Sequence, residues 1–431
     1  MFSLARPPGP YPCFSRVSLG APGLVLALIV VGPLGCGTGG MEETAAPPFE
    51  QIDSAGVLIS VTRGTEARVP IGWTVDSVPD LVLGAEDLPS GYLHRVQGLK
   101  GLPDGGVLVV DGGSQELRFF DSEGRSVKRA GGPGEGPGEF RDPVLVPLLG
   151  TDSLLFFDKG LPRFQMYSGD GQYSRQIRHE HGWPHGRRAP EGALGMRHML
   201  FRSSGNVEAL IAASRGEGEV RQMVWKFLWY DAQTGERMTV DSVKRGFSLR
   251  FDSSNWMIPF QPRSYAAVID RGVFITRGVT AEILEYDVEA MLRRIFRVKE
   301  FGRPVTRDMI EAMIDLEVER VPIWPRRRWE RAYRQMPIPD TLPAFQALQL
   351  DELGWLWAEV YDFDPRRPRQ WVVFDAEGRA HGTVEIPVGL EVHWIGRDAI
   401  LGVWRDEFDV EYVHRYRLDR RAGAPGADPE G

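Results

Sequence analysis

The chain has 431 residues, of which 50 are glycine and 32 proline, with 42% hydrophobic and 10% aromatic content, enough apolar material for a core and too much for global disorder. The net charge of −8 falls further once the first 35 residues are discounted, because they carry Arg6 and Arg16 and no acid. Such a surface repels phosphate backbones, which excludes nucleic acid as a partner class, and two cysteines exclude a disulfide-stapled scaffold.

The apolar run from Leu24 to Leu34 follows a basic, acid-free, proline-rich region and precedes small residues. It is too short to span about 30 Å of hydrocarbon and has the length of a secretory h-region, so residues 1–35 read as a signal peptide. The run ends in Leu34-Gly35-Cys36-Gly37, which resembles the lipobox of bacterial lipoproteins, with Pro33 where that motif usually has leucine. The resemblance implies cleavage before Cys36 and its diacylation, and hence a lipoprotein anchored in the cell envelope. Residues 36–49, rich in Gly, Thr, Glu and Pro, read as a flexible tether, and 420–431 as a disordered tail.

Between them, residues 50–419 repeat one pattern: an apolar strand, an aromatic-Asp-x-x-Gly turn, then another strand. It is clearest at Phe120-Asp121-Ser122-Glu123-Gly124 and Phe374-Asp375-Ala376-Glu377-Gly378. Asp bonds its own backbone two residues on and Gly accepts positive φ, so these aspartates read as turn formers. Paired strands are expected at 106–111 with 117–121, 153–158 with 164–168, 207–212 with 224–231, 273–277 with 282–287, 355–360 with 370–375, and 399–404 with 411–418. Six such units predict an all-β chain, a six-bladed β-propeller. Residues 53–61 carry the turn and the strand after it but no preceding blade, while the last blade lacks an outer strand. We therefore expect the ring to be closed by an N-terminal strand, with 53–61 completing the final blade.

The period changes at about 303–336. Thr306 is placed to cap a helix through Glu319, and Pro322 and Pro325 break it before a second helix from Arg326, giving a helical insertion between blades 4 and 5.

Leu102-Pro103-Asp104-Gly105-Gly106 and the run from Gly131 to Phe140, Gly-Gly-Pro-Gly-Glu-Gly-Pro-Gly-Glu-Phe, resemble the 6-bladed β-propeller lipoproteins of environmental bacteria, distant relatives of NHL-repeat propellers. The resemblance implies an exported propeller without an assigned reaction. The glycine-rich run lacks the Lys-Ser/Thr of a P-loop and reads as an inter-blade turn.

Few constellations suggest chemistry. His179, His181 and His185 fall within seven residues and form the candidate metal site, although their Gly- and Pro-rich neighbours suit an exposed loop better. Arg326, Arg327, Arg328 and Trp329 form a basic-aromatic candidate for partner binding. Trp355, Trp357, Trp371, Trp394 and Trp404 read as inter-blade core, the alternative being a sugar-stacking platform. No Gly-x-Ser-x-Gly elbow is present, and 59 acids offer too many carboxylate pairs to choose among. The expected function is binding of a protein, peptide or glycan, with no cofactor required and the membrane reached by the lipid anchor only. The alternative is a metal-dependent propeller enzyme of the lactonase or lyase type.

Overall fold

A computed structural model describes residues 48–421, except 86–90, 150–151, 178–187, 189, 195–197, 205–208, 212–218, 232–233, 252–253, 279 and 322. Residues 1–35, read as a signal peptide, Cys36, most of the segment read as a tether, all but two residues of that read as a tail, and the three histidines His179, His181 and His185 lie outside the described residues.

Six sheets follow one another along the chain as blades of a propeller. Blade 1 is Val96–Gly101, Val107–Asp111, Glu116–Phe120 and Ser126–Gly131, each strand antiparallel to the next. Blade 2 comprises Pro143–Val146, Leu154–Asp158, Arg163–Tyr167 and Tyr173–Ile177, and blade 5 Phe345–Leu350, Leu356–Val360, Arg369–Phe374 and Ala380–Ile386. Each blade is apolar on both faces, so it buries them only against two neighbours. Six apolar clusters of the described residues do this, one for each pair of adjacent blades. That between blades 6 and 1, for example, joins Leu401, Val403 and Val413 to Leu99, Val107, Val109 and Phe120. Burying one such aromatic or branched side chain is worth roughly 1.5–3 kcal/mol, and six interfaces for six blades leave no open end.

The turns behave as their residues require. Asp121 Oδ1 accepts from the backbone N–H groups of Glu123 and Arg125, and Asp375 Oδ1 from those of Glu377 and Arg379. Gly378 sits at φ +83°, where a Cβ would also fall 2.2 Å from the Phe296 ring of blade 4, so glycine is doubly required. The glycine-rich run is the turn between blades 1 and 2. It is held by Gly134 N–H on Phe140 O and Phe140 N–H on Gly132 O, with the Phe140 ring fully buried against Phe156 and Tyr167.

An N-terminal strand does close the ring, but not the expected one. Phe49–Ser54 and Val57–Arg63 form a hairpin that adds, in parallel, to the outermost strand Leu292–Lys299 of blade 4, whose inner strands are Ala266–Ile269, Gly272–Thr276 and Glu282–Asp287. The chain then crosses the edge of blade 5, where Ile71 N–H bonds Thr383 O and Thr383 N–H bonds Val69 O. It reaches blade 6 (Glu391–Ile395, Ala399–Arg405, Glu411–Asp419), and there Leu81–Leu83 supplies the missing outer strand, helped by Thr74–Val75. The segment thus straps three successive sheet edges, covering backbone groups that would otherwise invite aggregation.

Blade 3 also departs from expectation. Its strands are Gly192–Leu194, His198–Ser204, Glu219–Asp231 and Arg237–Phe251, with Ser254–Met257 beyond. The second strand is His198–Ser204, not 207–212. Ala209–Ile211 instead pairs with the far half of Glu219–Asp231, because the third and fourth strands, 13 and 15 residues long, run on past the body of the sheet.

The insertion lies between blades 4 and 5 as read. Thr306 caps the helix Arg307–Arg320 by accepting from Met309 N–H, and a second helix spans Arg326–Gln335. Ile314, Trp329, Ala332 and Tyr333 pack against Leu249, Trp256 and Ile258 of blade 3 and the segment after it.

Candidate functional site: the axial cavity

In every blade but the third the first described strand leads a simple meander, and it is this strand that faces the axis. The ends at which the chain enters these strands, together with the loops joining second to third strands, make up one face of the ring, here called upper. The loops joining first to second strands lie on the lower face. A cavity of about 820 Å³ follows the axis, lined from blade 1 by Gln97 and Lys100, from blade 2 by Leu145 and from blade 4 by Ala266 and Ala267. Blade 5 contributes Gln349, Glu359 and Arg369, blade 6 Glu391, His393 and Trp394, and Glu191 stands just before blade 3. This volume lies within the range of small-ligand sites.

Three of the innermost strands carry a β-bulge. In blade 1 the register shifts between Val96 and Leu99, in blade 5 between Phe345 and Ala347, and in blade 6 between Val392 and Trp394. The extra residues include Gln97, Gln346 and His393. A bulge inserts a residue the ladder does not pair and re-aims its side chain, so these three polar groups end up at the upper mouth.

Each anchors a charged neighbour. Gln346 Nε2 donates to Glu359 Oε1 at 2.6 Å, and Arg369 Nε stands 3.6 Å from the same oxygen while its Nη1 donates to Asp362 O. Gln97 donates to Asp142 at 2.6 Å and accepts from Lys159 Nζ at 2.5 Å, and Arg95 pairs with Asp142 at 2.9 Å. His393 Nε2 is 3.6 Å from Glu391, a close contact rather than a hydrogen bond, and Arg405 bridges Glu391 at 2.9 Å and Glu411 at 2.8 Å. The upper mouth is therefore a chain of paired charges running from blade 5 through blade 6 to blades 1 and 2.

Two carboxylates there titrate in opposite directions. Burial pushes Glu359 up, with the nearby Glu391 charge adding to the effect and Gln346 and Arg369 opposing it. The imidazole of His393 and the guanidinium of Arg405 hold Glu391 down at about 2. At the other end Asp351 is wholly structural. Its Oδ1 accepts from the N–H groups of Leu353 and Trp355 and its Oδ2 from Trp357 Nε1, while Arg420 Nη1 stands 2.8 Å from Oδ2 as an ion pair. Trp394 closes the lower part of the cavity, its ring seated against Gly101 and Gly396, where a Cβ would lie 2.2 and 2.1 Å from the indole.

The residues singled out from sequence fall elsewhere. Arg326 pairs with Asp315 and Glu330, and Arg328 stacks on Trp324 with its guanidinium 4.0 Å from the ring centroid. Trp329 is 6% exposed and packs edge-on against Trp256, which makes it the glue of the insertion, and Arg327 is exposed, its side chain without a partner among the described residues. Trp357 and Trp371 are inter-blade core, as read, Trp355 and Trp404 pack half-buried against the same cluster, and Trp394 packs on the core between blades 6 and 1 while also lining the cavity. Among the described residues no group of three or more His, Cys, Asp or Glu is placed to hold a metal ion. None of Gln97, Glu359, Arg369, Glu391 and His393 was singled out from sequence, since each belongs to an ordinary strand and only the closure of the ring, with bulges at Gln97 and His393, brings them to one mouth.

No family model matches the sequence, and no curated protein matches it. Among solved structures the chain is similar to a Bacteroides fragilis protein taken to be exported, at 12% identity over 81% of this chain and 96% of that one with a TM-score of 0.39. It is also similar to a member of the DUF4221 family from Bacteroides vulgatus, at 10% identity over 81% and 99% with a TM-score of 0.43. A third likeness is to virginiamycin B lyase from Staphylococcus aureus, at 9% identity over 80% and 100% with a TM-score of 0.34. These likenesses concern the fold alone. No helix among the described residues is long and apolar enough to cross a membrane.

Proposed function

We propose that this protein is an exported propeller, lipid-anchored through Cys36, that binds a peptide or glycan segment at the upper mouth of its axial cavity. The observation that carries the reading is that Gln97 and His393, extruded by bulges in blades 1 and 6, line one end of a cavity of about 820 Å³ together with Glu359, which the bulged Gln346 of blade 5 holds in place. A rim of donors and acceptors fixed by backbone register is preorganised, so little ordering cost opposes a polar ligand there. The anchor rests on the Leu-Gly-Cys-Gly sequence at residues 34–37. Peptide and glycan arrays probed with the purified protein test the binding. Ligands retained by the protein are expected to be lost on Glu359→Ala with Arg369→Ala, and capture that survives this pair of changes would defeat the reading. Mass spectrometry of detergent-extracted protein tests the anchor, with a diacylglyceryl adduct on Cys36 expected and Cys36→Ser releasing the chain from membranes.

One observation favours a second, enzymatic reading. Glu359 and Glu391 come from different blades, stand within electrostatic reach of each other and titrate in opposite directions, the arrangement that lets one carboxyl donate a proton while the other stays ionised. Turnover of ester, lactone or glycoside probes that disappears in Glu359→Gln while binding persists would select it over simple binding.

A further inference from the structure

A second cavity, of about 700 Å³, opens on the lower face between blades 6 and 1. Trp394 lines it as well as the axial cavity, so the indole stands between the two. Five arginines surround the lower cavity, Arg397, Arg415, Arg417, Arg420 and Arg421, against the acids Asp80, Asp398 and Asp419.

Two of the arginines are committed to the fold. Arg415 pairs with Asp80 and donates to the carbonyls of Gly105 and Ser122, stapling blade 6 to blade 1. Arg420 donates to the carbonyls of Gly396 and Arg397, pairs with Asp351 and stacks on Trp73. The guanidinium groups of Arg397, Arg417 and Arg421 have no hydrogen-bond or ion-pair partner among the described residues. Of the nearby acids, Asp80 is taken by Arg415, and Asp419 accepts from the Arg421 backbone N–H. Glu352, at the floor of the axial cavity, accepts from the Arg397 backbone N–H and faces the Lys100 and Arg397 charges, and among the described residues it closes no ion pair and Asp398 carries no side-chain bond. Guanidinium is the side chain whose planar fork matches an oxyanion, and three of them left unspent around a concave site beside an indole make an anion receptor.

We propose that this lower cavity binds a small soluble ligand bearing a carboxylate or phosphate, of monosaccharide size, through Arg397, Arg417 and Arg421 with Trp394 as an apolar wall. The site is independent of the upper mouth and of what binds there.

Isothermal titration of the purified protein with glucuronate, glucose 6-phosphate and inorganic phosphate at low ionic strength tests this. At least one probe is expected to bind with a stoichiometry of one, and to weaken when salt rises from about 20 to 200 mM. Arg397→Ala with Arg417→Ala should weaken it by roughly a hundredfold, since each charge-assisted hydrogen bond is worth about 1.5–3 kcal/mol. Arg421→Gln alone should weaken it by roughly tenfold on the same scale. These side chains make no bonds among the described residues, so the variants should melt with the parent protein. Arg327→Ala, on the insertion, should leave the affinity unchanged. Absence of heat with all three probes would overturn the proposal, as would equal loss in Arg327→Ala. Association with phosphatidylglycerol vesicles in place of the free probes would overturn it too, because it would assign the arginines to a membrane surface.

Discussion

The two ends of the propeller axis use charge in different ways. At the upper end Glu359, Arg369, Glu391, Arg405, Asp142 and Lys159 are spent on one another, and the side chains that orient them come from bulged strands. At the lower end one carboxylate, Asp351, is consumed by the fold while three guanidinium groups on loops and strand ends are left over. A mouth built on strands is rigid and electrically satisfied, which suits recognition by geometry, whereas a mouth built on loops keeps unspent charge, which suits recognition by sign. In both cases the sheets supply position and only their ends supply chemistry.

The contrast is open to test, beginning with the change of largest effect. Asp351→Ala leaves the Trp357 indole N–H without its buried acceptor and Arg420 without its counter-charge, and should cost about 3–5 kcal/mol in urea unfolding. A loss below about 1 kcal/mol would show that the lower end is no more structural than the upper. Trp394→Ala removes a half-buried indole between two cavities and should cost about 2 kcal/mol, less than a fully buried tryptophan, with Gly101→Ala lowering the melting temperature in the same direction by displacing the ring.

The upper carboxylates should then separate by pH. Glu391 has its folded value depressed to about 2 from 4.5, so its contribution is present above 4.5 and is lost as pH falls toward 2. Its exposure keeps that contribution small. Glu359 is raised, so the folded state binds its proton more tightly, and its stabilising effect in acid is lost as pH rises above 4.5. Glu359→Gln should therefore be neutral or stabilising at neutral pH, while Glu391→Gln should flatten the acid limb of the stability curve. Urea midpoints between about pH 3 and 7 will show whether the two differ in sign. The smallest effect is expected at Arg327, where replacement by alanine should change stability by less than about 0.5 kcal/mol.

The architecture was legible because each blade repeats a local rule, as at Phe120-Asp121 and Phe374-Asp375, where Asp and Gly must close a hairpin. The closing strand was misplaced because Leu81–Leu83 is three residues long and follows Pro79-Asp80, leaving no periodicity to read, whereas 53–61 imitates a blade edge and pairs with blade 4 instead. The third blade was misread because 207–212 is an apolar run of strand length, and Ala209–Ile211 is a strand, but on the extended hairpin. Gln97, Gln346 and His393 were hidden for a deeper reason. A bulge is one residue out of step in a pairing between strands, and nothing in either strand alone announces it.

The strap from residue 49 to residue 83 also dictates an order of events. Asp80 and Arg415, joined across the last sheet, are 335 positions apart, so a segment among the first to leave the ribosome waits for nearly the whole chain before it finds its partner. Closure is thus a late, high-contact-order step, and refolding should be slow for a protein of this size. Once made, the same clasp must open before any blade can peel away, which gives the ring a long lifetime out of proportion to its equilibrium stability.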